Sequence, residues 1–256
     1  FFNRFFSQQL KTVRMCHVSL PPITKITCFT GLIIPCPPAD AKSASPIVIC
    51  DTINPSPLDL RCALMIPNPP PTSWLEIDRS AVAHNTRIIA QAAGVPLMAV
   101  IKSDGYGHGA VPVAETFLKS GGLWLGVVRV EEALVLRRAG IQAPILLVGS
   151  LIPEQLDAAI AAQVTMAVGS LDLLQAAQQR AAALQIPALI HLKVDTGMGR
   201  LGVFPHEAGE FAALAQASPW VRLDGVFSHL ASAGDDPVLT GQQISRFEAA
   251  VAAVRA

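Results

Sequence analysis

The chain has 256 residues, 51% of them hydrophobic and 15% charged, which is long and apolar enough for one or two packed domains and excludes an intrinsically disordered protein. Nineteen Lys/Arg balance nineteen Asp/Glu; this removes any general attraction to nucleic acid or acidic lipid, so small molecules are the expected partners. No run of about 18 apolar residues occurs, so no segment reads as a membrane span and a soluble protein is expected.

Residues 1–72 are unlike the rest. All five cysteines (Cys16, Cys28, Cys36, Cys50, Cys62) lie there with many of the prolines. An odd number of cysteines, with no CxxC pair and no histidine at ligand spacing, supports neither a closed disulfide set nor a zinc site. The chain begins with Phe1, and Met65 stands shortly before patterned sequence. The segment is therefore read as unpatterned, disordered or not native, with residues up to about 64 untranslated. A targeting segment is the rival reading, because Arg4, Lys11, Arg14 and Lys25 precede the first acidic residue, Asp40. Pro21, Pro22, Pro35, Pro37 and Pro38 oppose it by breaking any long amphipathic helix.

From Ser73 onward a single domain, 73–256, is expected. An opening helix spans about Ser80–Ala93, with Asp78 or Ser80 as its cap. Short apolar runs then alternate with amphipathic stretches, the signature of repeated βα units around a parallel sheet. Strands are predicted at Leu97–Lys102, Trp124–Arg129, Pro144–Val148, Thr165–Val168, Ala188–Val194 and Leu223–Ser228. Helices are predicted at Val111–Ser120, Val130–Ala139, Pro153–Ala162, Leu171–Leu184 and His206–Ala217, where apolar residues recur three or four apart, as in Leu171, Leu174, Ala177 and Ala181. The expected fold class is α/β, a TIM-type (β/α) barrel with about six of the usual eight strands. An open doubly wound sheet is the alternative that the repeat alone leaves standing.

The first predicted strand ends in Lys102 and runs into Ser103, Asp104, Gly105, Tyr106, Gly107, His108 and Gly109. Strand carboxyl ends face the active site of a barrel, and a lysine stripped of water there becomes a nucleophile toward carbonyl carbons. The three glycines let the backbone turn tightly beside a ligand. By spacing alone, a surface charge is the commoner explanation of a strand-ending lysine such as Lys102. His191, Lys193 and Asp195 alternate along a predicted strand and could form a structural polar cluster. His229 could be a satisfied core histidine, and His108 and His206 could be exposed. The six histidines show no HxxxH or HxH pairing, so no metal is assigned.

Val100–Gly109 (VIKSDGYGHG) resembles the cofactor-lysine motif of alanine racemases, usually close to VKADAYGHG, with mild departures at Ser103 and Gly105. His191–Gly202 (HLKVDTGMGRLG) is similar to that family's most distinctive stretch. Trp74–Asn85 and Phe227–Asp236, with Arg246 and Phe247, resemble two further blocks. The resemblance covers about Ser73–Ala256. It implies a pyridoxal 5'-phosphate (PLP) dependent isomerase that interconverts L- and D-alanine through a Schiff base on Lys102, which also acts as one of two bases. By the same resemblance Tyr106 would sit against the cofactor and Arg200 would bond its phenolic oxygen, contributing to substrate binding. Lys193, often carbamylated in the family, would support Arg200, and His229 would lie behind the pyridine ring.

The family's second base is a tyrosine from the carboxyl-terminal β domain of a partner subunit, a domain that these 256 residues are expected to lack. Tyr106 is the single tyrosine here, so that base is absent from these 256 residues, and a fragment with impaired or no activity alone is expected. A racemase of another amino acid, such as serine or lysine, and a PLP-binding homeostasis protein without turnover are the alternatives. The resemblance further implies a cytoplasmic enzyme that makes D-alanine for peptidoglycan. It is a homodimer in the family, an assembly this chain is not expected to form by itself.

Overall fold

The structure, a computed structural model, describes residues 75–256. The reading of residues 1–72 therefore lies outside the described residues. The opening helix, α1, covers Arg79–Ala93. Of the two candidate caps it uses Asp78, whose carboxylate accepts from the N–H groups of Ser80 at 2.8 Å and Ala81 at 3.1 Å. Gly94 ends the helix in the left-handed region, at φ +61°.

Six strands follow: β1 Met98–Val100, β2 Trp124–Val127, β3 Ile145–Leu147, β4 Thr165–Val168, β5 Ala188–Lys193 and β6 Val221–Phe227. Between and after them run α2 Ala110–Lys119, α3 Val130–Arg138, α4 Leu156–Ala161, α5 Leu171–Leu184, α6 Ala208–Gln216 and α7 Pro237–Arg255. Every predicted strand exists, with its ends moved by up to two residues or so. Two predicted helices open instead as single 3₁₀ turns, Pro153–Gln155 and Pro205–Glu207, each beginning with a proline that fits a first turn.

The sheet order is β1-β2-β3-β4-β5-β6 and every pairing is parallel. A doubly wound sheet reverses its strand order at a switch point. Here the order never reverses, so the sheet winds in one direction, as in a barrel. Among the described residues β1 and β6 are the two edges.

The strand period of two divides the core. Ala99, Leu125, Val127, Ile145, Leu147, Met166 and Ile190 join the large cluster formed with the helices, while Leu146, Ala167 and Phe227 form a separate one with Met98, Trp124 and Val148. Leu146 and Leu147 are neighbours, both fully buried, yet they belong to different clusters because successive side chains leave opposite faces. The second cluster lines the concave face. The β5–β6 ladder breaks register once: Ile190 pairs with Leu223, but His191 pairs with Gly225. Asp224 is the extra residue of this bulge, and the shift turns Phe227 toward the concave face, opposite Lys193.

Leu147→Ala should remove about 2–5 kcal/mol of stability by opening a cavity between sheet and helices. Val238→Ala, at a side chain 70% exposed, should change it by less than about 0.5 kcal/mol. Urea unfolding of the two variants checks the contrast.

Candidate functional site

The N–H of Ile101 donates to the carbonyl of Gly126 at 2.8 Å and ends the β1 ladder. Lys102 follows at the carboxyl end of the strand, outside it, which corrects the predicted strand end. The next four residues, Ser103, Asp104, Gly105 and Tyr106, all have φ between +52° and +63°. Only Gly105 adopts that conformation without cost; each of the others loses about 1–2 kcal/mol.

Surrounding hydrogen bonds hold the turn. Gly105 N–H donates to the Ile101 carbonyl at 2.9 Å, and the Asp104 carboxylate accepts from Ala110 N–H at 2.6 Å. Glu132, in the first turn of α3, accepts from Ser103 N–H at 2.6 Å with one oxygen. Its other oxygen accepts from Val128 N–H at 2.9 Å and Arg129 N–H at 3.1 Å. Partial burial pushes the Glu132 carboxyl up, but these three N–H groups and the Arg129 charge outweigh it, so it sits below its ordinary value and stays ionised. Lys102 is thereby fixed half-buried, with its Nζ 5.9 Å from the centre of the Tyr106 ring.

A second group comes from the end of β5. Lys193 is buried, 8% exposed, and its Nζ lies over the Phe227 ring at 4.8 Å from the centroid. Burial lowers its pKa to about 8; Asp195 opposes the shift and Arg200 adds to it. Asp195 turns its carboxylate onto the loop that follows. Oδ1 accepts from the N–H groups of Gly197, Met198 and Gly199, and Oδ2 from that of Arg200 at 2.8 Å. Burial pushes this carboxyl up, but the four bonds hold it below its ordinary value. The loop returns at Gly202, φ +122°, where a Cβ would stand 2.6 Å from the Asp195 nitrogen, so glycine is required.

His229 lies two residues beyond β6, half-buried. Burial and then the charges of Lys193, Arg200 and Lys102 lower its pKa, so it is neutral at physiological pH. Those three cations belong to three different segments and all act on one imidazole. The carboxyl mouth of the sheet is thus a cationic surface around a neutral histidine, able to receive a small anionic molecule that carries a carbonyl group. A shallow cleft beside it is lined by Lys193, Gly169, Ser170, Leu201 and Gly202; Lys102 stands outside that lining.

The structure therefore brings Lys102, Tyr106, Lys193, Arg200 and His229 to one end of the sheet. It does not gather His191, Lys193 and Asp195 into a polar cluster. His191 lies fully buried, 5.2 Å from Trp124 and 6.4 Å from Phe227 between ring centres, with no partner for either nitrogen. His108 is half-buried rather than exposed, its Nδ1 3.0 Å from the Gly105 carbonyl. His206 is exposed and stacks on Phe204. Sequence reasoning missed Glu132, although an acid in the first turn of a helix is a readable signal. It also missed Gln243, for which no local signal exists. Among the described residues no three His, Cys, Asp or Glu side chains converge as a metal site, and no helix is long and apolar enough to cross a membrane.

Together these features define a singly wound parallel (β/α) domain whose strand-end lysine faces a cationic mouth. Residues 77–256 match the family described as "Alanine racemase, N-terminal domain", and the chain belongs to that family. It is 44% identical over 187 residues to an alanine racemase of Symbiobacterium thermophilum, covering 72% of this chain and 49% of that protein. It is 42% identical over 189 residues to one from a Nostoc species, again covering 72% and 49%. Among solved structures, an alanine racemase of Clostridium difficile in complex with cycloserine matches with TM-score 0.65 at 31% identity, covering 70% of this chain and 50% of that one. An alanine racemase of Streptomyces lavendulae matches with TM-score 0.65 at 37% identity, covering 70% and 48%. The chain spans about half the length of the relatives it matches.

Burial lowers the His191 pKa to about 4, against a slight opposing effect of Asp224. Between pH 6.5 and 4 the unfolded chain therefore binds a proton that the folded chain refuses. Stability attributable to His191 is complete above pH 6.5 and falls by about 3 kcal/mol as the pH drops to 4. His191→Leu should flatten that slope without loss at pH 7, because it removes two unpaired buried nitrogens. Chemical denaturation across this range measures both effects.

Proposed function

We propose that residues 73–256 are the cofactor-bearing barrel portion of an alanine racemase, and that Lys102 holds pyridoxal 5'-phosphate. The observation that carries this reading is the placement of Lys102. It sits at the carboxyl end of β1 on a left-handed turn clamped by Glu132, at the mouth where Lys193, Arg200 and His229 converge, in a chain of this family. The donor set suits the group: PLP is anionic and carries an aldehyde, and these residues offer an amine with cations around it. When bound, it supplies an electron sink that weakens the bond to the α-proton of an amino acid.

The chain's own residues do the rest. Lys102 would hold the cofactor covalently through its Nζ and, once a substrate amine has displaced it and left it a free amine, would take or return a proton there on one face of the substrate. Tyr106, on the same turn, bounds the site beside Lys102. Arg200 would present fixed, always charged donors to the cofactor's phenolic oxygen and the substrate carboxylate. Lys193, part neutral near pH 8, is the amine suited to carbamylation, and its new negative charge would hold Arg200. His229, held neutral by its burial and its cationic neighbours, would back the cofactor ring as an uncharged donor or acceptor.

Alanine is the proposed substrate, the cytoplasm the proposed compartment, supply of D-alanine to peptidoglycan the proposed role, and a homodimer the proposed working assembly. Racemisation needs a base on the opposite face, and the one tyrosine in the sequence, Tyr106, shares the lysine's turn. The second base must therefore come from residues other than these 256, and by themselves these residues are impaired or inactive.

Adding PLP to the 256-residue chain should produce a visible absorption band that vanishes in Lys102→Ala, together with no appreciable D-alanine from L-alanine. Absence of a Lys102-dependent band would refute the cofactor assignment. Appreciable turnover would refute the need for an outside base.

A further inference from the structure

The helix α7 buries little of its length: Gln243, Ala250 and Val254 are its buried residues. Gln243 is 0% exposed, and burying a primary amide is costly unless its groups are paired. Here they are paired with two other segments, at Thr196 and at His229 and Ala231. Oε1 accepts from Ala231 N–H at 2.8 Å, while Nε2 donates to the His229 carbonyl at 3.2 Å and to Thr196 Oγ1 at 3.2 Å. The amide has only one orientation that satisfies these partners, since an N–H group needs the oxygen and a carbonyl needs the nitrogen.

From Thr196 the bonding continues in one direction. Ser228 Oγ donates to the Val194 carbonyl at 2.8 Å, so the proton between the two hydroxyls, 2.8 Å apart, comes from Thr196. One turn farther along α7, Arg246 Nη1 donates to the Thr196 carbonyl at 2.9 Å. Thr196 is the residue from which the Arg200 loop departs, directly after Asp195. Gln243 thus touches the root of one arm of the cationic mouth and the backbone of His229, the residue on which the mouth converges.

We propose that Gln243 is a positioning residue that locks the Arg200 loop and His229 to one another through its single amide. Its chemical consequence rests on the functional reading above: with this lock in place, Arg200 and His229 meet the cofactor as one rigid face. Gln243 touches neither cofactor nor substrate and acts through Thr196 and His229.

The test compares the full chain with Gln243→Glu, which keeps the shape and one acceptor but loses both donors. Gln242→Glu, at the exposed neighbouring position, is the control. Amide hydrogen exchange at 195–202 and 228–232 should quicken about tenfold in Gln243→Glu, with β1 to β3 and the control unchanged. Thr196→Val serves if Gln243→Glu fails to fold: it should loosen 195–202 and leave the Ala231 amide protected. Unchanged exchange in the two loops, or equal acceleration everywhere, overturns the inference.

Titration with PLP adds a second readout, with about tenfold weaker binding expected for Gln243→Glu at the Lys102-dependent band. A normal band and affinity in both proteins overturns the positioning role and leaves the functional reading standing. Loosened loops in a chain whose wild type gives no Lys102-dependent band uphold the lock and overturn the functional reading.

Discussion

One constraint underlies the rest of this structure: six strands hydrogen-bond in chain order, all parallel. Parallel pairing in sequence forces every connection to return along the outside of the sheet, so helices cover one face and the concave face is left to strand side chains alone. The same constraint sends every strand end to one mouth. Lys102 after β1, the Arg200 loop after β5 and His229 after β6 are distant in sequence and share that mouth for no other reason. Each is carried there by a ladder whose backbone bonds are independent of the chemistry at its end.

What distinguishes the mouth is the use of carboxylates as backbone clamps rather than as charge partners. Glu132 accepts three N–H groups and Asp195 four. Each holds a loop in a shape its sequence would not keep by itself. Both carboxylates stay ionised in this arrangement, and Asp195 still raises the proton affinity of Lys193 against the larger effect of burial. Strain stored in the Ser103–Tyr106 turn is offset in part by the Glu132 clamp.

The concave face beneath the mouth is built from rings. His191 lies between Trp124 and Phe227, and Phe227 in turn underlies the Lys193 ammonium. The depressed proton affinities of His191 and Lys193 share their largest cause, removal from water, and both therefore weigh against stability when protonated. Lys193 keeps a cation–π contact and an opening to the cleft, whereas His191 has neither. One faces the cleft and the other is packed within the sheet's inner face.

The sequence by itself determined the six strands, the six helices named in advance and the placement of Lys102 at a strand end, because those depend on periodicity and on residues within a few positions of each other. The resemblance in VIKSDGYGHG and HLKVDTGMGRLG extended this to the family, since such blocks carry identity without knowledge of contacts. Only the tertiary structure decided that the sheet winds one way, because strand order is a long-range pairing that repeated βα units leave open. It alone placed the Asp224 bulge that turns Phe227 under Lys193, the Glu132 clamp 29 residues from Ser103, and the Gln243 amide 47 residues from Thr196. A buried polar side chain reads as solvent-facing until its partners are known, and those partners come from elements that the chain reaches only after it has folded.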